Sequence, residues 1–199
     1  MALIQIVAPT SEPVTVAEVK EHLNIDIASD DRLLEGYIMA ARHQAENYMK
    51  RQLMPATFKY IFRDFRGSQQ EVELMRPPLS TDVSNVSIQY TDNTNTTNTI
   101  GTTVYVVDTE RIPGRVYPAV DNEWPSNVLS DQPKSVQITF VSSYTGRASV
   151  PEPIKHWIKQ RVGVMYEYRE ELTPDSFNFI GHDYTMGLLD PFKVIRFAT

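Results

Sequence analysis

Four histidines, one pair of adjacent aspartates and a short aromatic group are the side chains of this sequence whose types could carry chemistry. The histidines are His22, His43, His156 and His182. Helical metal motifs set two histidines three or four residues apart so that both imidazoles reach one ion, and no two of these four are so spaced. They read as surface or boundary histidines. Asp30 and Asp31 could divide the work of a general acid and a general base. They also open a helical pattern, where carboxylates meet exposed backbone N–H groups, and that position explains them without a reaction. The stretch "GHD", Gly181–Asp183, could set an imidazole beside a carboxylate on a loop, but no Gly-x-Ser-x-Gly elbow accompanies it. Trp157, Tyr166 and Tyr168 could form a stacking platform for bases; at helical spacing Trp157 reads as core. The eight glycines do not cluster, so no phosphate-cradling loop is present. The sequence has no cysteine, which excludes thiolate nucleophiles, thiolate metal sites and disulfides within it. It points to no catalytic residue, no metal ligand and no cofactor-binding residue, and no cofactor is expected.

Composition narrows the partners. The chain has 199 residues, 41% hydrophobic and 22% charged, with a formal net charge of −6. That length suits one domain, or one domain with an insertion. A dedicated nucleic-acid binder carries a basic face or run, and the densest basic group here is Lys50–Arg51 in "MKRQ". Such a chain can sit beside DNA without gripping it. The opening "MALIQIVAPT" holds an apolar run shorter than the roughly 7–15 residues of a signal-peptide core. No stretch approaches the ~20 apolar residues of a membrane span. No membrane partner is expected, and the expected place of synthesis is the cytoplasm of the producing cell.

The elements that would position these side chains are legible in part. Thr15 and Glu18 have capping-box spacing, and Val14 and Val19 have that of a hydrophobic staple. Val16, Val19 and Leu23 then share a face, and Asn24 suits a left-handed helix stop. A second helix opens at Ser29–Asp31, with "SDD" expected to cap it. Its seam is Leu34, Ile38, Ala41, Ala45 and Tyr48, widened by Leu33, Tyr37 and Met49. Glu46 and Lys50 stand four apart in the better orientation, and the pattern extends to about Gln52. From Pro55 the texture becomes β-like. Thr57–Phe65, Val86–Tyr90, Thr103–Val107 and Ser135–Val141 read as strands between proline-containing turns. The tract Thr91–Thr99 has no apolar residue and reads as an exposed hairpin tip or loop. A third helix follows, with Ser149 and Glu152 again at capping-box spacing and Pro151 and Pro153 in its first turn. Its stripe is Ile154, Trp157, Ile158, Val162, Met165 and Tyr168, and Thr173–Asp175 is its expected stop.

The expected fold class is α+β: a small bundle of three main helices, a β-rich insertion between the second and third, and an extended C-terminal tail. As one domain over residues 1–199, it would have a helical core from 13–53 and 150–172, an insertion at 55–146 and a docking tail at 176–199. The tail is irregular at first and then carries Leu188, Leu189, Phe192, Val194, Ile195 and Phe197. These are the candidate interface residues, expected to reach a neighbour rather than complete the chain's own core.

The order of these parts resembles the head–tail connector (adaptor, head-completion) proteins of tailed bacteriophages. The matching segments are the capped "PVT" helix and the "DD" helix within Pro13–Leu53, "VPEPIKHWIKQRVGVMYEYRE" within Val150–Glu171, and, more loosely, "LLDPFKVIR" at Leu188–Arg196. The resemblance implies a homo-oligomeric ring of about twelve subunits closed by heterologous contacts. It implies the portal protein above, a stopper or tail protein below, and double-stranded DNA passing through the centre without specific binding. The place implied is the virion neck. Two other readings stay open on the sequence: a stopper or tail-completion protein of the same neck, and, in a different class, a β-rich binding module or enzyme. An enzyme should show a convergent polar cluster in a pocket, and the sequence names none.

Overall fold

The computed structural model of the chain describes residues 1–65, 70–125, 129–169 and 186–195. Among these residues the chain forms three α-helices and eight β-strands, an α+β architecture. It divides into two compact units, one of residues 1–10 with 55–145 and one of residues 11–54 with 146–199.

The second unit is helical. Helix α1 (Val16–Leu23) begins with a complete capping box. The Thr15 hydroxyl accepts the Glu18 N–H at 3.1 Å, and the Glu18 carboxylate accepts the Thr15 N–H at 2.6 Å. Val14 and Val19 are both buried, as the staple requires. Asn24, at φ 54°, closes the helix in the left-handed conformation that asparagine tolerates. Helix α2 (Asp31–Met49) buries Leu34, Ile38, Ala41, Ala45 and Met49. It stops at Lys50, whose φ of 57° ends the ladder before Gln52. The side-chain cap expected from "SDD" does not form. The Asp30 carboxylate is engaged elsewhere, accepting the Tyr166 hydroxyl at 2.7 Å.

Helix α3 (Glu152–Glu167) buries Ile154, Trp157, Ile158 and Val162. The capping box expected from Ser149 and Glu152 is absent: Pro151 is the cap residue, with no side-chain bond. Ser149 belongs to a short 3-10 turn at Arg147–Ser149, two residues before the cap position at Pro151. The Glu152 carboxylate accepts from Lys155 Nζ at 2.8 Å. Helix α2 packs on α3, and α1 touches both. The approach of α1 to α3 is close at Gly163, where a Cβ would stand 2.9 Å from Leu23 Cδ2.

The first unit is two antiparallel sheets. Its five-stranded sheet has the order β1-β2-β8-β4-β5, with β1 at Ala2–Val7, β2 at Ala56–Phe62, β8 at Val136–Ser142, β4 at Ser87–Thr91 and β5 at Thr97–Thr99. A three-stranded sheet has the order β3-β7-β6, with β3 at Val72–Glu73, β7 at Arg115–Pro118 and β6 at Tyr105–Asp108. Strands β2 and β8 pair along their whole length, and both alternate between buried and half-buried residues. That period of two turns Phe58, Tyr60, Ile138 and Phe140 inward. They share one core with Tyr105 and Val116 of the smaller sheet. Trp124 stacks on Phe65 at 4.6 Å.

Strands β1, β3, β5 and β7 go beyond the sequence reading. The Thr91–Thr99 tract is an exposed hairpin tip whose far arm is β5. Its turn is organised by the Asp92 carboxylate, which accepts from the N–H groups of Thr94 and Thr96 and from Asn98 Nδ2. The Thr94 hydroxyl also donates to it at 2.6 Å, and this bond foremost, with the others, holds the Asp92 carboxyl below its ordinary value.

Candidate functional site

Of the side chains that could carry chemistry, His22, His156, Asp30, Asp31, Trp157 and Tyr166 are engaged in structure. His22 and His156 meet edge to face with ring centres 5.6 Å apart. Partial burial, then the charges of Lys159 and His156, push the His22 imidazole below its ordinary value. No group of three or more potential ligands converges on a metal position among the described residues. His43 is exposed on α2. His182, with the rest of "GHD", lies outside the described residues, as does Thr173–Asp175. Asp30 is bound by Tyr166 and lies 3.4 Å from Arg169, while Asp31 pairs with Lys20 Nζ at 2.8 Å. The two aspartates thus serve different partners. Trp157 is buried in the helical unit and presents no stacking face.

One polar group was missed by sequence reasoning. Arg42 is 2% exposed and ties α2 to the segment before α1. Its Nε and Nη2 donate to the Glu12 carboxylate at 2.6 and 3.1 Å, and its Nη1 donates to Glu46 at 2.9 Å. Glu46 also accepts from Gln52 Nε2 at 2.7 Å and from the Leu53 N–H at 3.0 Å. Burial pushes the Glu46 carboxyl up, against the pull of Arg42 and the Leu53 N–H. The i, i+4 spacing of Arg42 and Glu46 was the available signal. The equally spaced Lys50 lies in the left-handed stop, exposed at the surface.

The tail shows how the candidate interface residues are held. A 3-10 turn at Asp190–Phe192, with Pro191 inside it, folds the segment back on the end of α2. The Tyr48 hydroxyl donates to Asp190, Arg51 Nε donates to the Phe192 carbonyl, and the Val194 N–H donates to the Met49 carbonyl at 2.9 Å. Lys193 Nζ sits 4.7 Å from the Tyr48 ring centre. These contacts separate the six side chains. Leu189 is fully buried in the chain's own helical unit, a core position rather than an outward one. Leu188, Phe192 and Val194 are half-buried. Ile195 is 68% exposed. Phe197 lies outside the described residues. What the arrangement can do is physical: it fastens a short apolar segment to the stop of α2 and leaves its last described side chain free to meet another surface.

Comparison with known proteins gives this geometry a context. The chain matches the fold of proteins in gene transfer agent particles. A chain in the neck of the empty particle, computed with C6 symmetry, superposes with a TM-score of 0.76 at 17% identity, covering 100% of this chain and 98% of that one. A chain in the virion of the native particle gives 0.74 at 18%, with the same coverage. A chain in the neck of the native particle, computed with C12 symmetry, gives 0.71 at 18%, again with 100% and 98% covered. No curated protein matches by sequence. The family model of the phage gp6-like head–tail connector protein matches residues 13–113, which take in α1, α2 and strands β2 to β6. With half of its length matched, the chain belongs to the phage gp6-like head–tail connector family.

Proposed function

We propose that this head–tail connector, a structural component of the virion neck, works as the adaptor beneath the portal. Copies form a ring of about twelve, the portal lies above, a stopper or tail protein lies below, and double-stranded DNA passes through the centre. Family membership over residues 13–113 carries this reading. The shared fold with chains of particle necks computed with C6 and C12 symmetry supports the ring. The role is mechanical and needs no reaction: His22 meets His156, Asp30 accepts from Tyr166, Asp31 pairs with Lys20, and Arg42 ties α2 to the segment before α1. The net charge of −6 suits a conduit that lets DNA slide without holding it. Val194 and Ile195 are the part of the tail placed to meet a neighbour or the portal, with Leu188 and Phe192 flanking them.

Cryo-electron microscopy of particles carrying a tagged chain tests the proposal. The expected result is a ring of tags between portal and tail, and particles made without the chain should have filled heads and no tails. Tags along the tail shaft, or tailed particles assembled without the chain, would overturn it.

A further inference from the structure

Strand β1 ends the five-stranded sheet and pairs with β2 alone among the described residues. An open strand edge is a row of unpaired N–H and C=O groups, a template for another strand. Folded chains blunt such edges with charge, proline or extreme shortness. Strand β1 reads ALIQIV, six residues without charge or proline, and it pairs regularly with β2 from Ala2 to Gln5, with one irregularity between Gln5 and Val7. Ile4, Ile6 and Val7 are 47%, 48% and 51% exposed. An uncharged, apolar edge of this length is suited to being covered in the working assembly.

The other end of the same sheet is β5. It has three residues, Thr97–Thr99, pairs with β4 alone among the described residues, and also lacks charge. A cyclic ring needs a heterologous contact, in which one patch of a copy meets a different patch of the next. The two ends of one sheet meet that requirement, and no like charges oppose them. Two β1 edges set against each other would instead close a two-fold pair and stop. A six-residue edge on a three-residue edge covers far less than the ~1,200 Å² of a stable free interface. The contact therefore suits copies already gathered in a ring rather than an independent dimer. We infer that β1 of one copy pairs along its open edge with β5 of the next, continuing the sheet from subunit to subunit. This rests on the neck-ring reading above.

Engineered disulfides test it. The chain has no cysteine, so any disulfide reports an introduced pair. Gln5→Cys is combined in turn with Thr97→Cys, Asn98→Cys and Thr99→Cys, and Leu3→Cys with Asn98→Cys, four choices that cover every register in which all of β5 is paired. Neighbouring strands of a sheet stand about 4.7–4.9 Å apart, within disulfide reach. Particles built with each variant are oxidised and run without reductant. At least one pair should give a ladder of reducible multimers, and Gln5→Cys alone should give none. A dimer from Gln5→Cys alone would mean that β1 faces β1, and overturns the inference. Particles that contain the chain while no pair cross-links overturn it too and leave the neck role standing. Particles that lack even the unaltered chain overturn the neck role and the inference with it. Hydrogen exchange on the unaltered chain reads the same contact without substitution. The outward amides of β1 should exchange about tenfold or more slowly in assembled necks than in the free monomer, and unchanged exchange overturns the inference.

Discussion

Arg42 shows at the scale of one residue how the helical unit manages a buried charge. A guanidinium taken out of water costs several kcal/mol unless its partners replace the lost hydration. Here two carboxylates do so, Glu12 through two bonds and Glu46 through one. Removing Arg42 would leave Glu46, itself buried, with one partner fewer. Arg42→Met should lower unfolding free energy by about 3–5 kcal/mol, read from urea midpoints; a loss under about 1 kcal/mol would show that the group relaxes without it. The Thr15 cap is a smaller device. Thr15→Ala should cost ~1 kcal/mol. Its pH signature follows from Glu18, whose carboxyl is held below the ordinary 4.5 mainly by the Thr15 hydroxyl and then by the Thr15 N–H. A folded-state value below the unfolded one means that the folded chain releases the proton more readily. The stabilisation is therefore complete above the unfolded value and is lost as pH falls through the folded one. Thr15→Ala should flatten the acid limb of a melting series run from about pH 6 down to about pH 3. An unchanged acid slope would show that the hydroxyl does not set the Glu18 carboxyl.

Among the elements, the tail after the undescribed segment has two jobs that point substitutions can separate. Leu189 fills the interior, so Leu189→Ala should cost about 2–5 kcal/mol. Ile195 faces outward, so Ile195→Lys should leave stability within about 0.5 kcal/mol while keeping the chain out of particles. A normal incorporation of Ile195→Lys would remove Ile195 from the interface. The same contrast explains which parts were legible in the sequence. The Thr15–Glu18 box and the Asn24 stop are contacts within a few residues, so spacing reveals them. The seams of α2 and α3 are legible for the same reason. The start of α3 was misread because two prolines and a preceding 3-10 turn shifted the cap from Ser149 to Pro151. Choosing between Arg42 and Lys50 as the partner of Glu46 needed the helix stop, which the sequence placed near Gln52 rather than at Lys50. Strands β1 and β5 were hidden for different reasons: ALIQIV does not alternate and pairs only with β2, far along the chain, while Thr-Asn-Thr carries no apolar signal although its hairpin partner β4 is close by. Within the tail, the sequence marked the apolar side chains but not which of them turn inward, since the 3-10 turn at Asp190–Phe192 decides that.

For the whole molecule the question is how a ring can surround DNA without becoming a brake. Nonspecific affinity for duplex DNA comes from neutralising phosphates, each contact releasing counterions, and it falls steeply with salt. This chain has 19 lysines and arginines against 25 aspartates and glutamates. Several of the cations are already paired within the chain: Arg42 with Glu12 and Glu46, Lys20 with Asp31, Lys155 with Glu152, Arg115 with Glu71. Arg51, which the sequence offered with Lys50 as a basic group, donates to the Phe192 carbonyl and is tied to the tail. That leaves Lys50 as a single exposed cation there, too little for a phosphate-binding face. The purified chain should therefore bind duplex DNA more weakly than the ~10⁻⁴–10⁻⁶ M of nonspecific binders at physiological salt. A gel-shift series across salt concentrations measures it. Micromolar binding that collapses as salt rises would reveal a basic face, and would recast the ring as a grip on DNA rather than a passage for it.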